Sequence, residues 1–138
     1  MKSIPVSSLF FSAILFFGIS CKKSSDTDPI PTGPKVDRKV QFVLYTTGDH
    51  SADNHQITFR LAIQNSNSQV LWDSVLAPML IKDIPDIAHK ISFEKTISAN
   101  SAQLKVGFYY SIENVGNSWH LESFDAGTSI KTVDFDFQ

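Results

Sequence analysis

Two imidazoles, two carboxylates and an amide fall within eight residues, Gly48-Asp49-His50-Ser51-Ala52-Asp53-Asn54-His55. Such groups are ligands for zinc through histidine or for calcium through oxygen. Their spacing matches no established metal-binding loop. Asp, Asn, Ser and Gly are also the ordinary chemistry of turns, so a solvated turn is expected and no metal is assigned. A second set, Asp83, Asp86 and His89, surrounds Pro85, where caps and turn hydrogen bonds account for the same residue types. His120 and Glu122 are expected to point outward from one strand and to pair weakly, and Asp134 and Asp136 to line a wet strand face.

Catalytic constellations are sparse. The chain contains no G-x-S-x-G, H-E-x-x-H or C-x-x-C and no glycine-rich phosphate loop. Glu94, Glu113 and Glu122 are its only glutamates, and each falls at an outward strand position or in a loop. A carboxylate pair for glycoside hydrolysis depends on a separation that the fold sets. The chain is expected not to be an enzyme and to need no cofactor.

The one cysteine, Cys21, stands between two very different segments. Met1 and Lys2 give a short positive start, Leu9 to Ile19 is an apolar run, and small Ser20 precedes the cysteine. This is the layout of a secretory signal peptide. Phe17-Gly18-Ile19-Ser20-Cys21 resembles the lipobox of bacterial lipoproteins, and the resemblance covers residues 1 to about 34. It implies a signal helix over residues 1–20 that is removed, and lipidation of Cys21 as the first mature residue. The alternative is an uncleaved anchor. Ile4 to Ser20 spans only 17 residues, with Pro5 and four serines inside, at the lower limit for crossing a bilayer. Two or more acyl chains hold a protein firmly where one does not. The lipoprotein reading therefore puts the membrane among the partners, reached through a lipid anchor.

Residues 22–34 (KKSSDTDPIPTGP) follow with three prolines and a single large apolar side chain, Ile30. Such a segment cannot bury enough surface to offset its ordering entropy, so residues 21–34 are expected to be a disordered tether. At roughly 3.1 Å per residue in extended polyproline form it would reach about 40 Å. The lack of aspartate directly after Cys21 resembles lipoproteins sent to the outer membrane. Asp26 and Asp28 loosely resemble the surface-export signals of Bacteroidota lipoproteins. A cell-envelope location, most simply the outer membrane, is implied.

Residues 35–138 have the length of one ordinary domain. The chain carries 12 basic and 14 acidic side chains, and loss of residues 1–20 removes Lys2, leaving a formal charge of −3. Arg38 and Arg60 are the only arginines, and no basic cluster exists to grip phosphates. Nucleic acid is therefore not an expected partner.

Strand periodicity runs through this domain. Ile57, Phe59, Leu61 and Ile63 alternate with Thr58, Arg60, Ala62 and Gln64, giving one apolar and one wet face. Leu104, Val106, Phe108, Tyr110 and Ile112 alternate with Lys105, Gly107, Tyr109 and Ser111 in the same way. Further strands are expected at 40–46, 70–76, 91–97, 119–124 and 130–137, with a short edge strand at 79–81. Turn residues at 48–54, 65–68, 99–102, 114–117 and 125–128 separate them. Besides these two inward sets, the expected inward residues are Val40, Phe42, Leu44, Val70, Trp72, Leu76, Ile91, Phe93, Ile97, Trp119, Leu121, Val133, Phe135 and Phe137. Both tryptophans are thus assigned to the core. The expected fold is all-β, an antiparallel two-sheet sandwich of seven or eight strands, Ig-like in shape. A closed barrel is the alternative.

Tyr109 and Tyr45 fall opposite the core-facing residues of their strands. Tyr109 has small neighbours, Gly107 and Ser111, on its own face. An exposed ring on a flat surface is a platform for a sugar or a partner protein, so Tyr109 and Tyr45 are the candidate binding residues. The chain as a whole resembles small β-sandwich lipoproteins of Bacteroidota, an architectural likeness that carries no activity with it. The expected role is a lipid-anchored, non-catalytic binding module for a glycan, peptide or envelope protein. The alternative is a structural or assembly subunit docking to another envelope protein.

Overall fold

The computed structural model describes residues 35–100 and 102–138. The signal segment, Cys21 and the tether lie outside the described residues. Eight strands follow one another: β1 (Lys35–Thr46), β2 (Gln56–Asn65), β3 (Val70–Val75), β4 (Met79–Leu80), β5 (Ile91–Asn100), β6 (Leu104–Ile112), β7 (Gly116–Phe124) and β8 (Ile130–Phe137). One turn of 3-10 helix, Ile81–Asp83, follows β4. The fold is all-β and its two sheets form a sandwich rather than a closed barrel.

One sheet has the order β5-β1-β8, and the other β3-β2-β6-β7 with β4 paired to β2. All pairs are antiparallel except one. β1 and β8 run parallel, from Lys39 beside Ile130 to Thr46 beside Phe137. This departs from the expected all-antiparallel pairing. Parallel neighbours need a long connection between them, and here residues 47–129 supply it, so the first and last strands close side by side.

The period-two pattern fills the space between the sheets. Ile57, Phe59, Leu61 and Ile63 from β2 and Leu104, Val106 and Phe108 from β6 are at most 1% exposed. They meet Val40, Phe42 and Leu44 from β1 and Val133, Phe135 and Phe137 from β8. Phe108 stands edge-on to Phe42 at 5.7 Å and to Phe59 at 6.4 Å between ring centres, a favoured geometry for aromatic quadrupoles.

Two hairpins set registers. Between β2 and β3, the Asn65 side chain accepts from the Asn67 and Gln69 amides at 3.0 and 2.9 Å, and Ser68 takes φ +62°. The pairing slips by one residue at Ile63/Gln64, which leaves Val70 exposed instead of inward. Between β6 and β7, Asn114 takes φ +60° and Ile112 pairs with Gly116. That tight turn fixes β7 so that Phe124 is buried with His120 and Glu122 on its side, while Trp119 and Leu121 face out. The expected phase of β7 is therefore reversed: Trp119 is 66% exposed.

Arg38 shares the parity of Val40, Phe42 and Leu44 and is fully buried. Its guanidinium donates to the carbonyls of Ala102 (2.5 Å), Asp125 (2.7 Å), Thr128 (3.0 Å) and Phe124 (3.2 Å) and lies 3.8 Å from the centre of the Phe124 ring. Burial lowers its pKa, but an arginine stays charged in proteins. The cation thus ties the end of β7 and the loops at 102 and 125–128 to β1 through their carbonyls.

Candidate functional site

Tyr109 and Tyr45 lie on different sheets. Tyr45 is on β1, half-buried on the outer face of the three-stranded sheet, beside Asp136 of β8. Tyr109 is on β6, half-buried on the outer face of the larger sheet. They do not form one surface.

The two outer faces differ in chemistry. On the three-stranded sheet, polar groups pair with each other: Ser98 donates to Asp37 at 2.9 Å, Gln41 to Ser92 at 3.1 Å, and Lys39 lies 2.7 Å from Glu94. Thr47 donates to Asp136 through its backbone amide and its hydroxyl, at 2.9 and 2.7 Å. These hydrogen bonds hold the Asp136 carboxyl below its ordinary pKa.

On the larger sheet, antiparallel register aligns Val75, Arg60, Tyr109 and Trp119 in one row across four strands. The next row is Asp73, Ala62, Gly107 and Leu121. Gly107 is required there by close approach, because a β-carbon would stand 2.0 Å from the His120 carbonyl oxygen. The Tyr109 hydroxyl accepts from Gln64 Nε2 at 2.8 Å, which carries its ring along the sheet past Ala62 and Gly107, both buried. The Arg60 guanidinium carbon sits 4.8 Å from the centre of that ring, within cation–π range. Its nearest Asp73 oxygen is 3.6 Å away, and both side chains are more than 40% exposed. The Arg60 guanidinium makes no hydrogen bond among the described residues.

Trp119 completes the row. Among the described residues its indole has neither a ring contact nor a hydrogen bond. Trp72 is the opposite case. It stacks on Phe93 at 6.0 Å and 17°, meets Phe42 at 6.0 Å and lies under the Lys95 ammonium at 5.3 Å. Trp72 therefore fills its expected core position at the sheet edge. The groove between Val75, Arg60, Tyr109 and Trp119 has a volume of about 340 Å³ and is also lined by Thr58, Ser111 and Asn117. That size lies at the small end of ligand pockets.

Sequence reasoning placed Arg60 and Tyr109 on the wet faces of their strands but missed Trp119 and Val75. The signal for Trp119 was Phe124, which shares parity with His120 and Glu122 and competes with Trp119 and Leu121 for the core.

The titratable clusters resolve into local turns. Asp53 accepts from the His55 amide at 2.9 Å and lies 2.7 Å from His55 Nδ1, and these bonds lower its pKa. Hydrogen bonds to Ser51 lower Asp49, and bonding to the His89 ring, 2.7 Å from it, lowers Asp86. His50 packs on Phe137 at 5.3 Å, with Nε2 buried and without a hydrogen-bond partner among the described residues. Among the described residues, no three metal-ligating side chains converge. His120 and Glu122 do pair, at 3.2 Å, but on the inner side of β7, where the imidazole stacks on Phe135 at 5.0 Å. Glu122 also meets Lys131 of β8 at 2.5 Å, so this cluster seals the flank between the sheets.

Fold and face together define a small β-sandwich with an aromatic and cationic groove on the outer side of its larger sheet. Comparison with protein-family models, curated proteins and solved structures finds no match to this chain.

Proposed function

We propose that this chain is a lipid-anchored protein of the cell envelope, in the outer membrane, that acts as a non-catalytic binding module. Its contact surface is the Val75–Arg60–Tyr109–Trp119 row. The observation that carries the reading is Trp119: a large ring, 66% exposed, in one row with an arginine whose guanidinium makes no hydrogen bond among the described residues. Tryptophan and arginine are the side chains most often found at binding hot spots. Tyr109 supports the row from below, while Tyr45 belongs to the self-paired face and contributes nothing to it. The anchor rests on the signal-peptide layout and on Cys21 at its end.

Two variants test the two halves of this proposal in cells that make the full chain. Cys21→Ser is expected to abolish lipid labelling and to release or retain the protein as a precursor; unchanged labelling removes the anchor from the account. Trp119→Ala is expected to abolish capture of envelope glycans or proteins while leaving the fold intact. The assembly-subunit alternative draws on β7, which among the described residues pairs only with β6 and leaves one edge for strand addition. In that case a proline in β7 stops capture and Trp119→Ala does not.

A further inference from the structure

Resting on the groove reading above, we propose that the occupant is an acidic saccharide, with a pyranose ring stacked on Trp119 and a carboxylate taken by Arg60. The C–H face of a pyranose carries partial positive charge and is attracted to the negative face of an indole. Trp119 offers that face, since no other ring covers it among the described residues. Arg60 offers the second contact. Its fork can grip a carboxylate in bidentate fashion, and the one ion pair it makes among the described residues, with Asp73, stands at 3.6 Å, with both groups open to water. Stacking on Tyr109 fixes the guanidinium in the row without using its donors.

Spacing and charge fit the same occupant. Arg60 and Trp119 are separated by one strand, β6, so their backbones lie about 10 Å apart at the usual inter-strand distance. That suits two linked sugar residues lying across the strands. The outer face of the larger sheet carries Arg60 and Lys105 against Asp73. The opposite face of the molecule carries Asp37, Glu94, Asp134 and Asp136 against Lys35 and Lys39. In a chain of net negative charge, an anion is thus directed to the groove face. An extended peptide is a poorer fit, because peptides recognised by sheets take backbone hydrogen bonds from an edge, and the row offers side chains on a face.

The test uses the full chain in neutral detergent, titrated with uronate oligosaccharides (oligogalacturonate, oligomannuronate and hyaluronate fragments) and with neutral oligosaccharides of equal length. At least one uronate is expected to bind, with affinity falling as salt is raised. Trp119→Ala should weaken it at least tenfold, and Arg60→Gln at least fivefold with no loss of any binding to the neutral sugars. Both variants should keep the wild-type thermal midpoint. If no uronate binds, or if Arg60→Gln weakens neutral and acidic sugars equally, the acidic-saccharide assignment is wrong. Should Trp119→Ala then still abolish capture of an envelope protein or peptide, the groove stands with a different occupant. If Trp119→Ala changes no binding at all, the groove reading fails with it.

Discussion

The Arg38 guanidinium donates four hydrogen bonds to carbonyls at one end of the sandwich, and among the described residues the Arg60 guanidinium donates none on the open face of the larger sheet. The two tryptophans divide in the same way. Trp72 is stacked, flanked and capped by a lysine, whereas among the described residues the Trp119 ring stands free and solvent-exposed. One arginine and one tryptophan are therefore consumed by the fold, and one of each remains in a single row. The contrast shows how to read residue types that serve both structure and recognition: what matters is whether their bonding capacity is already filled.

The strongest way to break this comparison is at the arginines. Arg38→Met removes a buried cation and the hydrogen bonds it donates to four carbonyls, and loss of buried polar pairing of this kind costs about 3–5 kcal/mol. Arg60→Gln should stay within about 0.5 kcal/mol, as surface substitutions do. Urea unfolding of the two variants checks this; equal losses would mean that Arg60 is structural after all. The tryptophans give the next effect. Trp72→Ala, at a half-buried site, should cost about 2–3 kcal/mol, and Trp119→Ala again no more than about 0.5 kcal/mol. A smaller effect sharpens the picture at the sealed flank. Burial pushes the Glu122 carboxyl up, but hydrogen bonds and charge from Lys131 and His120 outweigh this, and its pKa falls below the ordinary glutamate value. A lowered folded pKa means that the pairing stabilises above the unfolded value and is lost as pH falls through the folded one. Stability should therefore drop as pH falls below the ordinary glutamate range, and Glu122→Gln should flatten that acid limb by about 1 kcal/mol or less for a partly exposed pair. An unchanged acid limb would show that the flank pairing is not coupled to folding.

Much of the fold was legible because β2, β6 and β8 alternate without conflict, and their inward sets are those found in the core. Arg38 was legible in principle, since it continues the inward parity of Val40, Phe42 and Leu44. The parallel pairing of β1 and β8 was not, because a period of two reports which face a residue takes and never which strand lies beside it. β7 failed for a sharper reason. Trp119 and Leu121 favour one phase, and Phe124 favours the other. The turn at Asn114, by pairing Ile112 with Gly116, decided for Phe124. A one-residue choice of phase moves every side chain to the other face, so the aromatic row at Tyr109 was half visible and Trp119 was hidden in an expected core.

The free state of Trp119 can be measured directly by tryptophan fluorescence of the full chain, with acrylamide as quencher, comparing Trp119→Phe and Trp72→Phe. Only two tryptophans contribute, so each variant reports the other ring alone. With Trp72→Phe, the remaining emission should be red-shifted and strongly quenched, as for a ring in water. With Trp119→Phe, it should be blue-shifted and shielded. If the emission left in Trp72→Phe is blue-shifted and protected, Trp119 is packed against the protein and the open groove does not exist.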